Sequence, residues 1–249
     1  MIFIDKASAP KELDKLMNDA KVKGLSGKDA YEMLRNPLKS EVREALMREQ
    51  GHLCAYCMRK IPDQRITSDD TDLSDIYIEH IKPRSDNLIP GYMALDYNNL
   101  LAVCSGNEKA PEARNGKKKR FLTCDKKRGC RKLTVNPLDV KTLSTIYYSE
   151  NGEILSTDEA IEEDINCTLN LNCKSDAVTL PQNRKAVLDE IERAVAMSEK
   201  NILDSCIEYL EIFENESDPK TPYIGIAIWW LKTKIKDLSD EKKKLLSNP

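Results

Sequence analysis

Cys54-Ala55-Tyr56-Cys57 carries two thiols separated by two residues, a spacing that lets both thiolates turn toward one metal ion. Cys104 and Cys124 lie in the same loop-rich stretch, and the four together could complete a tetrahedral four-cysteine zinc site. Such a site is closed, so its role is structural. Cys130 could replace Cys124, whereas Cys167, Cys173 and Cys206 fall outside the stretch and read as core thiols. The bland alternative is four buried thiols or a redox pair. Between the cysteine pairs runs Ile76-Tyr77-Ile78-Glu79-His80-Ile81-Lys82-Pro83-Arg84-Ser85, a short β-type segment ended by proline. A carboxylate beside an imidazole offers what phosphodiester hydrolysis needs, an oxygen ligand for a divalent cation and a base for water. Strand alternation would send Glu79 and His80 to opposite faces, so a shared site requires an irregular strand end. The competing reading of His80 is a satisfied structural histidine. His52 is the only other histidine and reads as structural.

A third chemical feature is charge. From Lys109 to Lys132 there are eleven cations against Glu112 and Asp125, a segment of +9 within a chain of net charge −3, which leaves −12 elsewhere. Phosphates are attracted to such a patch without regard to sequence, although a charge run can equally be a solvated face.

Helical scaffolding must surround this stretch. Leu13, Leu16 and Met17 recur at helical spacing after Pro10, Ala30, Met33 and Leu34 form a second row that stops before Pro37, and a third helix is expected from Ser40 to Gln50. Beyond Asn136, Ile146-Tyr147-Tyr148 should return through Asn151-Gly152 to Ile154-Leu155 as a hairpin. Ser156-Thr157-Asp158-Glu159 has capping-box spacing and predicts a short acidic helix. One long amphipathic helix is expected from Gln182 to Phe213, and a last one from Pro222 to Leu238. The latter reads as a buried terminal helix, with partner docking around Trp229 and Trp230 as the alternative. The boundaries are 1–50 for an N-terminal helical scaffold, 51–136 for the chemistry, and 137–249 for a hairpin and helical region.

A length of 249 residues with 40% apolar and 33% charged composition excludes a disordered or fibrous chain and leaves room for a real core. No segment approaches ~20 uninterrupted apolar residues, and Met1-Ile2-Phe3-Ile4-Asp5 lacks the basic start and apolar run of a signal peptide, so a cytoplasmic protein is expected, without membrane contact. There is no GxxxxGK[ST] phosphate loop.

The order Cys54-x-x-Cys57, Glu79-His80-Ile81-x-Pro83, Asn99-Leu100, Cys104 and Cys124-Asp125-x-Lys127 resembles the zinc-braced HNH endonuclease motif. Ala30-Tyr31, Lys39, the stretch Glu49 to Cys57, and Asn136-Pro137-Leu138 followed by Gly152-Glu153-Ile154 extend the similarity, over about residues 1 to 200, to the PtuB-like HNH proteins of retron and Septu antiphage systems. The resemblance implies an α+β, mainly helical fold, in which a zinc-braced ββα-metal nuclease core is flanked by N- and C-terminal helices. It implies that His80 is the general base, that Asn99 orients the histidine loop, and that Glu79 and Asp125 hold a catalytic Mg²⁺ or Mn²⁺, with Asn107 as the competing ligand. Asp125 departs from the usual His or Asn, and the nineteen residues between Cys104 and Cys124 exceed the usual two or three. Lys82, Arg84, Lys117, Lys118, Lys119, Arg120, Lys126, Lys127 and Arg128 would then hold phosphates of nucleic acid. DNA is the expected polymer, with tRNA or other structured RNA as an alternative substrate. An SMC/ABC-like ATPase, in some systems within a retron complex, is the implied partner. From another class, a non-catalytic zinc-ribbon binding subunit would use the cysteines and basic loop without needing Glu79, His80, Asn99 and Asp125 together.

Overall fold

The computed structural model describes residues 1–61, 76–108, 118–174 and 179–247. The N-terminal apolar rows become three helices: α1 (Lys11–Val22), α2 (Gly27–Glu32) and α3 (Leu38–Glu49). Acidic Glu12 and Asp14 in the first turn of α1 and Lys21 in its last suit the helix dipole. Ser26 caps α2 by accepting a hydrogen bond from the Asp29 amide at 3.2 Å. The third helix buries Val42, Leu46 and Met47 and is closed by Gly51 in the left-handed region, φ 61°.

Strand β1 (Tyr77–His80) pairs antiparallel with β2 (Leu100–Val103), with His80 opposite Leu100 and Tyr77 opposite Val103. Every residue of β2 is buried. Its outer edge is covered by Gln50, whose side chain accepts from the Ala102 amide and donates to the Ala102 carbonyl, both at 2.8 Å. One amide side chain thus satisfies backbone groups that a third strand would otherwise take. Two 3₁₀ turns, Gly91–Leu95 and Tyr97–Asn99, lead into β2. Gly91 packs so tightly that a Cβ there would lie 2.0 Å from the Leu25 carbonyl oxygen, which fixes the first turn against the start of α2.

The short helices α4 (Lys118–Phe121) and α5 (Cys124–Arg128) follow, then α6 (Val140–Leu143). The expected hairpin is present as β3 (Ile146–Tyr148) and β4 (Ile154–Ser156), paired antiparallel. The acidic helix is α7 (Glu159–Glu163), although its cap is Asp158, which accepts from the Ala160 and Ile161 amides. It continues into a π-helical turn, Asp164–Thr168.

The single helix expected over Gln182 to Phe213 is two, α8 (Leu180–Ala196) and α9 (Ile202–Asn215). Ser198 and Asn201 are the reason: short polar side chains bond to nearby amides and compete with helix continuation, and Asn201 caps α9 by accepting from Asp204 at 2.9 Å. The last helix, α10 (Ile224–Ser247), runs further than Leu238. Its first turns are core: Ile224, Ile226, Ala227 and Leu231 are buried, while Trp229 is partly buried beside Tyr148 with ring centroids 5.8 Å apart. No helix among the described residues is long and apolar enough to cross a membrane.

The loop before α10 closes onto the Cys54–Cys57 turn. The Lys220 amide donates to the Gly51 carbonyl and the Tyr223 amide to the Met58 carbonyl, each at 2.9 Å. The fold is therefore a helical protein with two small sheets, and one contiguous buried cluster runs from Met1 through β2 to Leu231.

Candidate active site

The four expected cysteines meet. Cys54, Cys57, Cys104 and Cys124 are all buried, and their sulfurs lie within 4.8 Å of one another. Cys54 to Cys124 and Cys57 to Cys104 are 3.8 Å, and Cys104 to Cys124 is 3.9 Å. A tetrahedron with metal–sulfur bonds of about 2.3 Å has edges of about 3.8 Å. The donor set therefore fits a metal ion such as zinc. Burial pushes the Cys54 thiol up, while hydrogen bonds from Cys104 and its neighbours hold Cys57 down, so a bound cation would compensate charge the core otherwise resists. Cys130, the alternative ligand, is exposed and outside the cluster. Cys167, expected in the core, is also exposed, whereas Cys173 and Cys206 are buried.

Glu79 and His80, adjacent in β1, both line one cleft of about 640 Å³ together with Asp125. They are 6% and 7% exposed, and His80 is the last residue of β1, still in register with Leu100, so the two share the cleft without the irregular pairing expected. The His80 Nε2 lies 3.0 Å from the Ala94 carbonyl oxygen in the first 3₁₀ turn. A carbonyl only accepts, so Nε2 carries the proton and Nδ1 keeps the lone pair. Burial drives the His80 pKa down to about 4, against a weaker upward pull from the Ala94 contact. The imidazole is therefore uncharged near neutral pH, with its lone pair at Nδ1.

Asn99 braces this loop. Its Oδ1 accepts from the Lys82 amide at 2.7 Å, and its Nδ2 donates to the Lys82 and Met93 carbonyls at 3.2 and 3.0 Å. The residues after His80 and the turn that holds its ring are thus tied by one side chain.

Arg128 corrects the sequence reading. Expected among phosphate-holding cations, it is 2% exposed and ion-pairs with Glu79. Its guanidinium also donates to the His80 carbonyl at 2.7 Å, the Ile81 carbonyl at 2.6 Å and the Arg131 carbonyl at 2.8 Å. Tyr56 joins the group, donating to Glu79 at 3.2 Å. The reason is helical spacing: Arg128 lies one turn after the buried Cys124 on α5, so the turn that buries the thiol aims Arg128 inward as well. Burial and then the neighbouring Asp125, within hydrogen-bonding reach, push the Glu79 carboxyl up, while Arg128 opposes both. Two hard oxygen groups side by side could hold a divalent cation.

Asn107, the competing ligand, is committed elsewhere. It accepts from Arg59 and donates to the Phe121 carbonyl, both at 2.9 Å, and does not line the cleft. Of the other expected phosphate-binding cations, Arg84 and Lys126 line the cleft, whereas Lys82, Arg120 and Lys127 do not. Lys126 ion-pairs with Glu108 at 3.0 Å and sits 4.0 Å from the Tyr77 ring. Lys117, with Lys109 and Arg114, lies outside the described residues, and Lys118 and Lys119 belong to α4. Tyr31, Lys39 and Arg43 on α2 and α3 also line the cleft, on elements that read from the sequence as scaffold, with Tyr31 and Lys39 entering only through the family resemblance. Their periodicity carries no sign of a cleft, because only tertiary packing brings them there.

No family model matches the chain, and no curated protein matches it.

Proposed function

We propose that this protein is an HNH-type metal-dependent endonuclease that hydrolyses phosphodiester bonds in nucleic acid, with DNA as the preferred polymer. The observation that carries the reading is His80 itself, a neutral imidazole oriented by the Ala94 carbonyl in the cleft that also holds Glu79 and Asp125. In this reading the four-thiolate centre holds zinc, since soft thiolates favour it, and Glu79 and Asp125 hold Mg²⁺ or Mn²⁺. When bound, the divalent cation would stabilise negative charge on the scissile phosphate and the departing oxygen. His80 takes a proton from water at Nδ1, Asn99 keeps the loop in register, and Arg128 fixes Glu79 and the carbonyls at the strand end. Arg84 and Lys126 hold phosphate.

The resemblance to PtuB-like proteins supports a role as the effector of an antiphage system working with a separate ATPase, tested by gene neighbourhood and co-purification. A second reading, a non-catalytic zinc protein that binds nucleic acid, is favoured by the ion pair that already engages Glu79.

Nicking of supercoiled plasmid in Mg²⁺ or Mn²⁺ decides between the two readings. Wild-type protein should cut, and His80→Ala should lose about 10²- to 10⁴-fold in rate while keeping its metal content and fold. A His80→Ala protein that cuts at the wild-type rate overturns the mechanism, and a wild-type protein that binds but never cuts points to the second reading.

A further inference from the structure

We propose that Tyr31, Lys39 and Arg84 form a phosphate clamp on the α2–α3 side of the cleft, which holds the DNA backbone next to His80. This rests on reading the cleft as a nucleic-acid site, and it makes the N-terminal helices part of the substrate surface. The Tyr31 ring stands edge-on to the His80 ring, with centroids 4.9 Å apart and planes at 77°. On the same tyrosine converge two cations: the Arg84 guanidinium is 4.7 Å and the Lys39 ammonium 5.9 Å from its centroid. Among the described residues, neither cation forms an ion pair with a carboxylate. A guanidinium stacked on an aromatic face keeps its in-plane N–H groups available, the geometry that grips phosphate.

The backbone fixes the arrangement. A Cβ at Gly27 would lie 2.2 Å from the Arg84 carbonyl oxygen, so the first turn of α2 packs directly on the Arg84 main chain. Tyr31 follows four residues later on the same helix face, which sets its ring over the Arg84 side chain. Lys39, in the first turn of α3, lines the cleft from the same wall. A phosphate held here lies beside the His80 ring, in the cleft that Lys126 also lines.

The test uses the full-length protein without added Mg²⁺ or Mn²⁺, so that cleavage plays no part and the His80 ring stays in place, and a fluorescein-labelled DNA duplex of about 30 base pairs read by anisotropy from about 50 to 200 mM KCl. Lys39→Ala and Arg84→Ala should each weaken binding about fivefold and lower the slope of log K against log salt by about 0.9. Arg84→Lys should keep the slope. Tyr31→Phe should bind as the parent does, whereas Tyr31→Ala should bind more weakly. Both cations are surface-accessible, and an unchanged thermal midpoint separates lost contacts from lost folding. Parental affinity and slope in Lys39→Ala and Arg84→Ala would overturn the clamp and leave the nuclease reading standing. Wild-type protein that shows these effects but never cuts DNA would retain the clamp and reject the nuclease.

Discussion

His80 sits in a site that suppresses its charge, and this makes it a measurable element of folding as well as of chemistry. Its folded pKa is about 4, lowered by burial, against about 6.5 for a free imidazole. Between those values the unfolded chain binds the extra proton and the folded chain does not, so stability rises with pH across that window. The contribution is fully present above about pH 6.5 and is lost as pH falls toward 4, a total of about 3 kcal/mol. Urea unfolding of wild-type and His80→Gln proteins over this range should show the wild type losing that much more stability on acidification. Parallel curves would contradict it. Acid loss of thiolate-bound metal affects both proteins alike and cancels in the comparison.

At the scale of elements, α5 links the two parts of the site. Its first residue, Cys124, is a member of the thiol cluster, and its last, Arg128, holds Glu79 and the end of β1. One short helix therefore ties the position of the cysteine cluster to that of the carboxylate. Ser substitution at Cys54, Cys57, Cys104 or Cys124 should each abolish stoichiometric zinc, measured by elemental analysis, whereas Cys130→Ser and Cys167→Ser should retain it. Zinc retained in a Cys124→Ser protein would place the fourth ligand elsewhere. The cage was legible in the sequence because thiols in a loop-rich stretch have few other uses. That Glu79 and His80 share one cleft was not legible from spacing, since strand alternation alone would have separated them. Arg128 was not legible either, since a cation inside Lys126-Lys127-Arg128-Gly129 has the local appearance of a solvated face, and only the turn set by Cys124 buries it. The break between α8 and α9 was missed because the apolar period resumes in phase after Asn201, so periodicity alone conceals the cap.

At the scale of the whole molecule, the sequence divides more sharply than the packing does. The N-terminal helices form a wall of the cleft, and the C-terminal segment enters the same buried cluster as the cysteine turn. Long-range contacts of this kind leave no trace in local spacing. Hydrogen exchange should expose the link: stripping the metal with a chelator should accelerate exchange of the Tyr223 amide, which donates to Met58 in the turn after Cys57. Exchange unchanged by metal removal would show that the two regions open independently. Because the Lys220 and Tyr223 amides fasten the root of α10 to Gly51 and Met58, that helix is hinged on residues that flank the Cys54–Cys57 turn. A pull on α10 would therefore act on the Cys54–Cys57 turn through two backbone hydrogen bonds, one on each side of it.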